Sequence, residues 1–233
     1  MISCEVIQVQ GSSLAAIQEG FQHAIRAVAG VSEALLLVSF SGHAVMSAEG
    51  KMMWAPEDAD RKDMATHFPM STLCRDLMEV HVDHVAQAKF HAPAAPNLFV
   101  VILADCCREA VTSSQIEPLR SETYGRRRRF RPSLYTIYAC APGGTAWDAV
   151  PNSVPGEHSH SHSPFMEQVV VQLRVDQRVP SFSDKVAFGL SQSTRRHQEV
   201  FHDCRGNFQG VTLHIPWRLR SGSGSSILTE SRS

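Results

Sequence analysis

The chain has 233 residues, 43% hydrophobic and 19% charged, which is enough apolar material for one sizeable core and excludes wholesale disorder. Its 22 Lys and Arg against 23 Asp and Glu leave a formal net charge of -1, so no global electrostatic reason exists to expect nucleic acid or an anionic membrane as partner. No apolar run approaches the roughly 18–20 residues of a membrane helix, and Met1-Ile2-Ser3-Cys4-Glu5 lacks the basic-then-apolar pattern of a secretory signal, so a reducing, cytoplasmic setting is expected.

In chain order, Glu5 to Gln10 alternate as a strand would, and Gly11-Ser12-Ser13 breaks the run and offers a helix N-cap. Leu14, Ile17, Phe21, Ala24, Ile25 and Val28 recur at steps of three and four, predicting one amphipathic helix that Gly30 can end. Ala34 to Phe40 is a short continuous apolar run that reads as a strand buried on both faces. A second helix is predicted over Thr72 to Ala88. Leu98 to Leu103 and Leu134 to Ala139 read as two further buried strands. Ser163-Pro164 opens another helix, with Phe165, Val169, Val170 and Leu173 on its stripe, and Val211 to Ile215 reads as a late strand. Strands alternating with helices predict an α/β fold with a mostly parallel sheet and helices on both faces. The domain is expected over residues 1–220, and the Ser- and Gly-rich residues 221–233 read as a flexible tail.

Six cysteines, Cys4, Cys74, Cys106, Cys107, Cys140 and Cys204, fall at irregular spacings with no CxxC pair, which points to neither a disulfide framework nor a zinc ribbon. In an open α/β sheet the ligand crevice lies beyond the carboxyl ends of the strands. Past the first buried run stands Ser41-Gly42-His43, past the second Asp105-Cys106-Cys107-Arg108, and past the third Cys140 through Asp148. A base, a nucleophile and carboxylates therefore fall at strand ends that ought to be neighbours. Cys/His chemistry needs such parts, because a thiolate attacks a carbonyl and an imidazole protonates the departing amine.

Four segments, Val38-Ser39-Phe40-Ser41-Gly42-His43, Leu103-Ala104-Asp105-Cys106-Cys107-Arg108, Tyr138-Ala139-Cys140-Ala141-Pro142-Gly143 and Ser163-Pro164-Phe165, resemble in order the caspase-like peptidases, in particular the metacaspase and paracaspase branches. Pro56-Glu57-Asp58-Ala59 resembles the loop that follows the histidine in that family. The resemblance implies a three-layer caspase-like (caspase-hemoglobinase) fold and a cysteine endopeptidase acting on proteins or peptides. It implies His43 as catalytic histidine, Cys107 as nucleophile, and the backbone N–H groups of Ala44 and Cys107 as the oxyanion hole. Asp105, with Asp148 as a second acid, would then select Arg or Lys before the cleaved bond. A non-catalytic caspase-like module that binds partners is the alternative. Most relatives carry Gly at the position of Ala44, and the family's first strand and helix, with one specificity acid, are expected to be missing ahead of Glu5. No cofactor is implied; some metacaspases depend on calcium, but no carboxylate cluster here matches their ligands, so no metal is assigned.

Two further patterns stand apart. Arg126, Arg127, Arg128 and Arg129 lie between the second and third buried runs, where caspase-like chains join their large and small parts, and are a candidate self-processing site. His158, His160 and His162 alternate with serines and read as a polar linker.

Overall fold

The computed structural model describes residues 13–28, 33–47, 51–60, 63–73, 97–110, 133–148 and 163–213. The predicted strand at Glu5 to Gln10, most of the helix predicted from Thr72, the Arg126 to Arg129 run, the three alternating histidines and the tail lie outside them.

Helix α1 (Leu14–Val28) forms as predicted, with Ile17, Ala24 and Ile25 buried. Its first turn is capped twice: the Ala16 N–H donates to Ser13 Oγ (3.2 Å), and the Leu14 N–H donates to Asp58 Oδ1 (2.9 Å) from the loop at Pro56-Glu57-Asp58. That loop thus ties down the start of the helix.

The central sheet has the order β1-β5-β7-β9. Strands β1 (Glu33–Ser41), β5 (Asn97–Asp105) and β7 (Ser133–Tyr138) are parallel, and β9 (Phe201–Arg205) is antiparallel at the edge. Val100, Ile102 and Ala104 of β5 point into one core with α1, Trp54 and Phe68. Val101 and Leu103 point into a second core with helices α2 (Pro164–Leu173) and α3 (Val179–Ser193). The result is a three-layer α/β architecture, as predicted, in which β5 is buried on both faces.

One prediction needs correction. Strand β1 is not buried on both faces: Leu35 and Leu37 are each 38% exposed. Its even-numbered residues pack on the α1 side, but the core under α2 and α3 is drawn from β5 and β7 rather than from β1. An unbroken apolar run does not say which of its residues a helix will reach.

A second small sheet, not predicted, has the order β4-β3-β2-β6. It is built from β2 (Ala44–Met46), β3 (Met52–Trp54), β4 (Phe68–Pro69) and β6 (Glu109–Ala110). Its anchor is Trp54, 1% exposed and stacked on Phe40 with ring centroids 4.3 Å apart. Of the late strand expected over Val211 to Ile215, residues 214 and 215 lie outside the described residues; its described part, β10 (Thr212–Leu213), pairs with β8 (Gln177–Arg178), apart from the central sheet.

Candidate active site

The site lies at the carboxyl ends of β1 and β5. These strands pair in parallel register from Glu33 with Asn97 to Ser41 with Asp105, a constant offset of 64 residues. Two residues further on stand His43 and Cys107. The two chains then pair again, Val45 with Glu109 and Met46 with Ala110, as β2 and β6 of the small sheet and at the same offset. His43 and Cys107 therefore occupy matching positions between two paired stretches. Gly42 makes the exit from β1 and donates its N–H to the Asp105 carbonyl (3.1 Å). His43 is exposed and Cys107 half-buried.

Two backbone N–H groups flank the pair. The His43 carbonyl accepts from the Ala55 N–H (2.8 Å) on the β3 side. Because C=O and N–H of one trans peptide point in opposite directions, the Ala44 N–H is aimed away from β3, toward β6 and the chain leaving β5. The same reasoning applies to Cys107. The Cys106 carbonyl accepts from the Cys140 thiol (3.5 Å), so the Cys107 N–H points away from Cys140.

Asp105 is 5% exposed and sits beneath this mouth. Its Oδ2 accepts from two hydroxyls, Ser163 Oγ (2.6 Å) and Ser41 Oγ (3.0 Å). Ser163 is also the N-cap of α2, where its Oγ accepts the Met166 N–H (3.1 Å). One oxygen of Asp105 thus serves both serines. Burial pushes the carboxyl above its ordinary 3.8; the hydrogen bonds from Ser163 and Ser41 pull the other way, and the charge of exposed Asp148 raises it further. The two acids thus share one neighbourhood.

The loop after β7 closes the site. Ala141 to Gly144 form a turn in which the Gly144 N–H donates to the Ala141 carbonyl (2.9 Å), with Pro142 second and Gly143 third at φ 79°. This is the type II pattern, whose third position needs a left-handed residue, and Gly143 supplies it without a Cβ penalty. Arg108 grips the turn through its backbone: its N–H donates to the Gly144 carbonyl (3.0 Å) and its carbonyl accepts from the Gly143 N–H (3.1 Å). Its guanidinium is buried over the Tyr138 ring (4.1 Å) and near Phe201 (5.1 Å). These contacts set the Ala146 carbonyl 3.8 Å from the Cys107 thiol, which donates to it.

The neighbouring cysteines differ. Cys106 is 1% exposed with its sulfur against Met52 Sδ (4.0 Å), and burial pushes its thiol far above the ordinary range. Burial raises the Cys140 thiol to about 11, and its sulfur also lies 3.3 Å from the Gly144 carbonyl, so its one hydrogen is shared between two acceptors. Ser41, Ser163, Arg108 and Ala146 thus join the predicted residues; of these, only Ala146 lacked a signal beyond its place in the loop. Among the described residues, no group of three or more His, Cys, Asp or Glu side chains is arranged to hold a metal ion, and no helix is long and apolar enough to cross a membrane.

No curated protein matches the chain. Among solved structures, caspase-1 from Spodoptera frugiperda aligns at 14% identity and a TM-score of 0.47, over 84% of this chain and 68% of that one. The caspase domain family matches residues 2–208, nearly the whole chain. On that match the chain belongs to the caspase domain family, a family of cysteine peptidases.

Proposed function

We propose that the protein is a cysteine endopeptidase that uses His43 and Cys107 and cleaves after Arg or Lys. The observation that carries this reading is the bracketed register, which puts an imidazole and a thiol at matching positions on neighbouring strand ends. Cys107 as thiolate attacks the scissile carbonyl carbon, and the carbonyl π electrons move to oxygen. The N–H groups of Ala44 and Cys107 receive that oxyanion, and such donors act where charge develops in the transition state. Collapse expels the amine, which takes a proton from the His43 imidazolium and leaves a thioester on Cys107. Water, deprotonated by His43, then hydrolyses the thioester and restores the thiol.

Selection of a basic side chain rests on Asp105 and Asp148. A carboxylate beside a second acid favours a guanidinium or ammonium through charge-assisted bonds. The Arg126 to Arg129 run would suit the same pocket, as a site of self-processing.

A second reading, a binding module without catalysis, is favoured by one observation: the Cys107 thiol donates to the Ala146 carbonyl of its own fold. Fluorogenic peptides ending in Arg, Lys or Asp, offered to wild type and Cys107→Ala with and without calcium, separate the readings. Cleavage after Arg or Lys that disappears in Cys107→Ala supports the peptidase. A preference for Asp overturns the acidic pocket, and no cleavage by folded protein supports the module.

A further inference from the structure

The loop from Cys140 to Ala146 carries the carbonyl beside the Cys107 thiol and leads directly into Asp148. Both of its ends are held by one side chain from a distant part of the chain. Gln198 Nε2 donates to the Ala139 carbonyl (2.9 Å), at the loop's start. Gln198 Oε1 accepts the Trp147 N–H (3.4 Å), at its end. Gln198 is 2% exposed, so a single buried amide closes the loop as a staple.

The segment that delivers Gln198 is built for this. After α3 the Arg196 N–H donates to the Ser191 carbonyl (2.7 Å) and the Arg195 N–H to the Gln192 carbonyl (3.3 Å). This is the nested pair of bonds of a Schellman cap, a motif that usually relies on glycine. Here two arginines take the left-handed conformation instead, Arg195 at φ 51° and Arg196 at φ 66°. The reversal turns His197 and Gln198 back toward the end of β7. His197 stacks on the Trp147 ring, centroids 5.8 Å apart, beside the bond that Gln198 makes to the same residue. The Gln198 N–H is fixed in turn by the buried Thr194 hydroxyl (3.3 Å), which donates to the Leu190 carbonyl (2.7 Å).

We propose that Gln198 is a positioning residue of the active site, holding the Cys140–Ala146 loop so that the Ala146 carbonyl faces the Cys107 thiol and Asp148 faces the pocket for the basic side chain. The substrate part rests on the peptidase reading; the effect on the Cys107 thiol does not. A leucine at 198 fills similar space but neither donates nor accepts, so the loop would lose both anchors and the thiol its acceptor.

The test is made on the full chain, with Gln198→Leu beside wild type. Mass spectrometry follows alkylation of Cys107 by iodoacetamide, thermal melting follows stability, and an Arg-terminated peptide gives kcat and KM. Gln198→Leu is expected to alter the Cys107 alkylation rate and raise KM by about 10-fold, the scale of two modest hydrogen bonds lost, with a smaller change in kcat. Val186→Ala, a buried substitution in α3 that removes neither Gln198 bond, is expected to lower melting without either change. Alkylation that is unchanged in a folded Gln198→Leu protein, or that Val186→Ala reproduces, overturns the proposal. If wild type cleaves no peptide, the peptidase reading fails and alkylation alone decides the role of Gln198. Should Gln198→Leu not fold, Gln198→Glu carries the same measurements, because it keeps the shape and an acceptor for Trp147 but loses the donor to Ala139.

Discussion

His43 and Cys107 stand at the same offset as the strand pairs on either side of them, Ser41 with Asp105 before and Val45 with Glu109 after. Neither residue can shift along its strand without breaking one of these ladders, so the relative position of the two backbones is set by strand pairing rather than by a flexible loop. Cys107→Ala removes a half-buried sulfur from this frame and should leave the fold in place. Peptide cleavage should fall by on the order of 10⁶-fold, as removal of the nucleophile does in serine hydrolases. Circular dichroism and a progress curve on an Arg-terminated peptide check both halves. Cleavage that persists in Cys107→Ala would remove this thiol from the chemistry.

Asp105→Asn separates substrate selection from stability. The amide oxygen still accepts from Ser41 and Ser163, but the charge that would pair with an arginine is gone. Cleavage after Arg should drop about 10- to 100-fold, the range of a hydrogen bond to a charged group. The native carboxyl lies above its ordinary 3.8 because burial outweighs its hydrogen bonds. A raised acid contributes stability that is present below the unfolded pKa and lost as pH rises through the folded value. At pH 7 the aspartate is therefore a net burden, and Asp105→Asn should melt no lower than wild type, with any advantage shrinking as pH falls through the raised folded value toward the ordinary 3.8. A melting temperature well below wild type at pH 7 would show that the carboxylate is a structural anchor instead.

Much of this site is written in short-range pattern. Apolar runs at Ala34 to Phe40, Leu98 to Leu103 and Leu134 to Ala139 give the parallel strands, and the residues just past the first two give His43, Asp105 and Cys107. What escaped depends on longer range. The small sheet rests on strands of two or three residues, too short for alternation to register. The exposure of Leu35 and Leu37 depends on which strands α2 and α3 cover. Gln198, in an unremarkable Arg-Arg-His-Gln stretch, meets Ala139 across 59 residues of sequence. A polar residue there reads as surface, and only the tertiary fold makes it a buried bridge.

The cysteines should react in an order set by burial. Iodoacetamide at pH 7 on the native protein should modify Cys107 and the exposed Cys204 and leave Cys106 and Cys140 unmodified among the described cysteines. The thiolate is the reactive form, and a Cys140 thiol at about 11 supplies very little of it at neutral pH. Cys106→Ala should retain full activity and lose about 1 kcal/mol from the small cavity, a fall of roughly 2–4 °C in melting temperature. Peptide mapping after a timed pulse reads the first result, and labelling of Cys106 ahead of Cys107 would reverse the assignment of nucleophile.

Ser163 joins the cap of α2 to the candidate specificity acid, since the same oxygen accepts the Met166 N–H and carries the hydroxyl donated to Asp105. Ser163→Ala removes both bonds. Loss of the N-cap alone costs about 1 kcal/mol, and loss of a hydrogen bond to a charged acceptor about 1.5–3 kcal/mol, so melting at pH 7 should fall clearly. The effect on activity has a defined sign. The Ser163 hydroxyl lowers the Asp105 pKa, so its removal lets burial raise that value further. Ionised Asp105, the form that would bind arginine, then disappears at a higher pH, and the acid limb of kcat/KM for an Arg-terminated peptide should move upward. Ser163→Thr keeps the hydroxyl and should restore the wild-type limb even if its extra methyl group lowers melting. An acid limb that stays in place in Ser163→Ala would separate Asp105 from substrate binding and reduce the Ser163 bond to a helix cap.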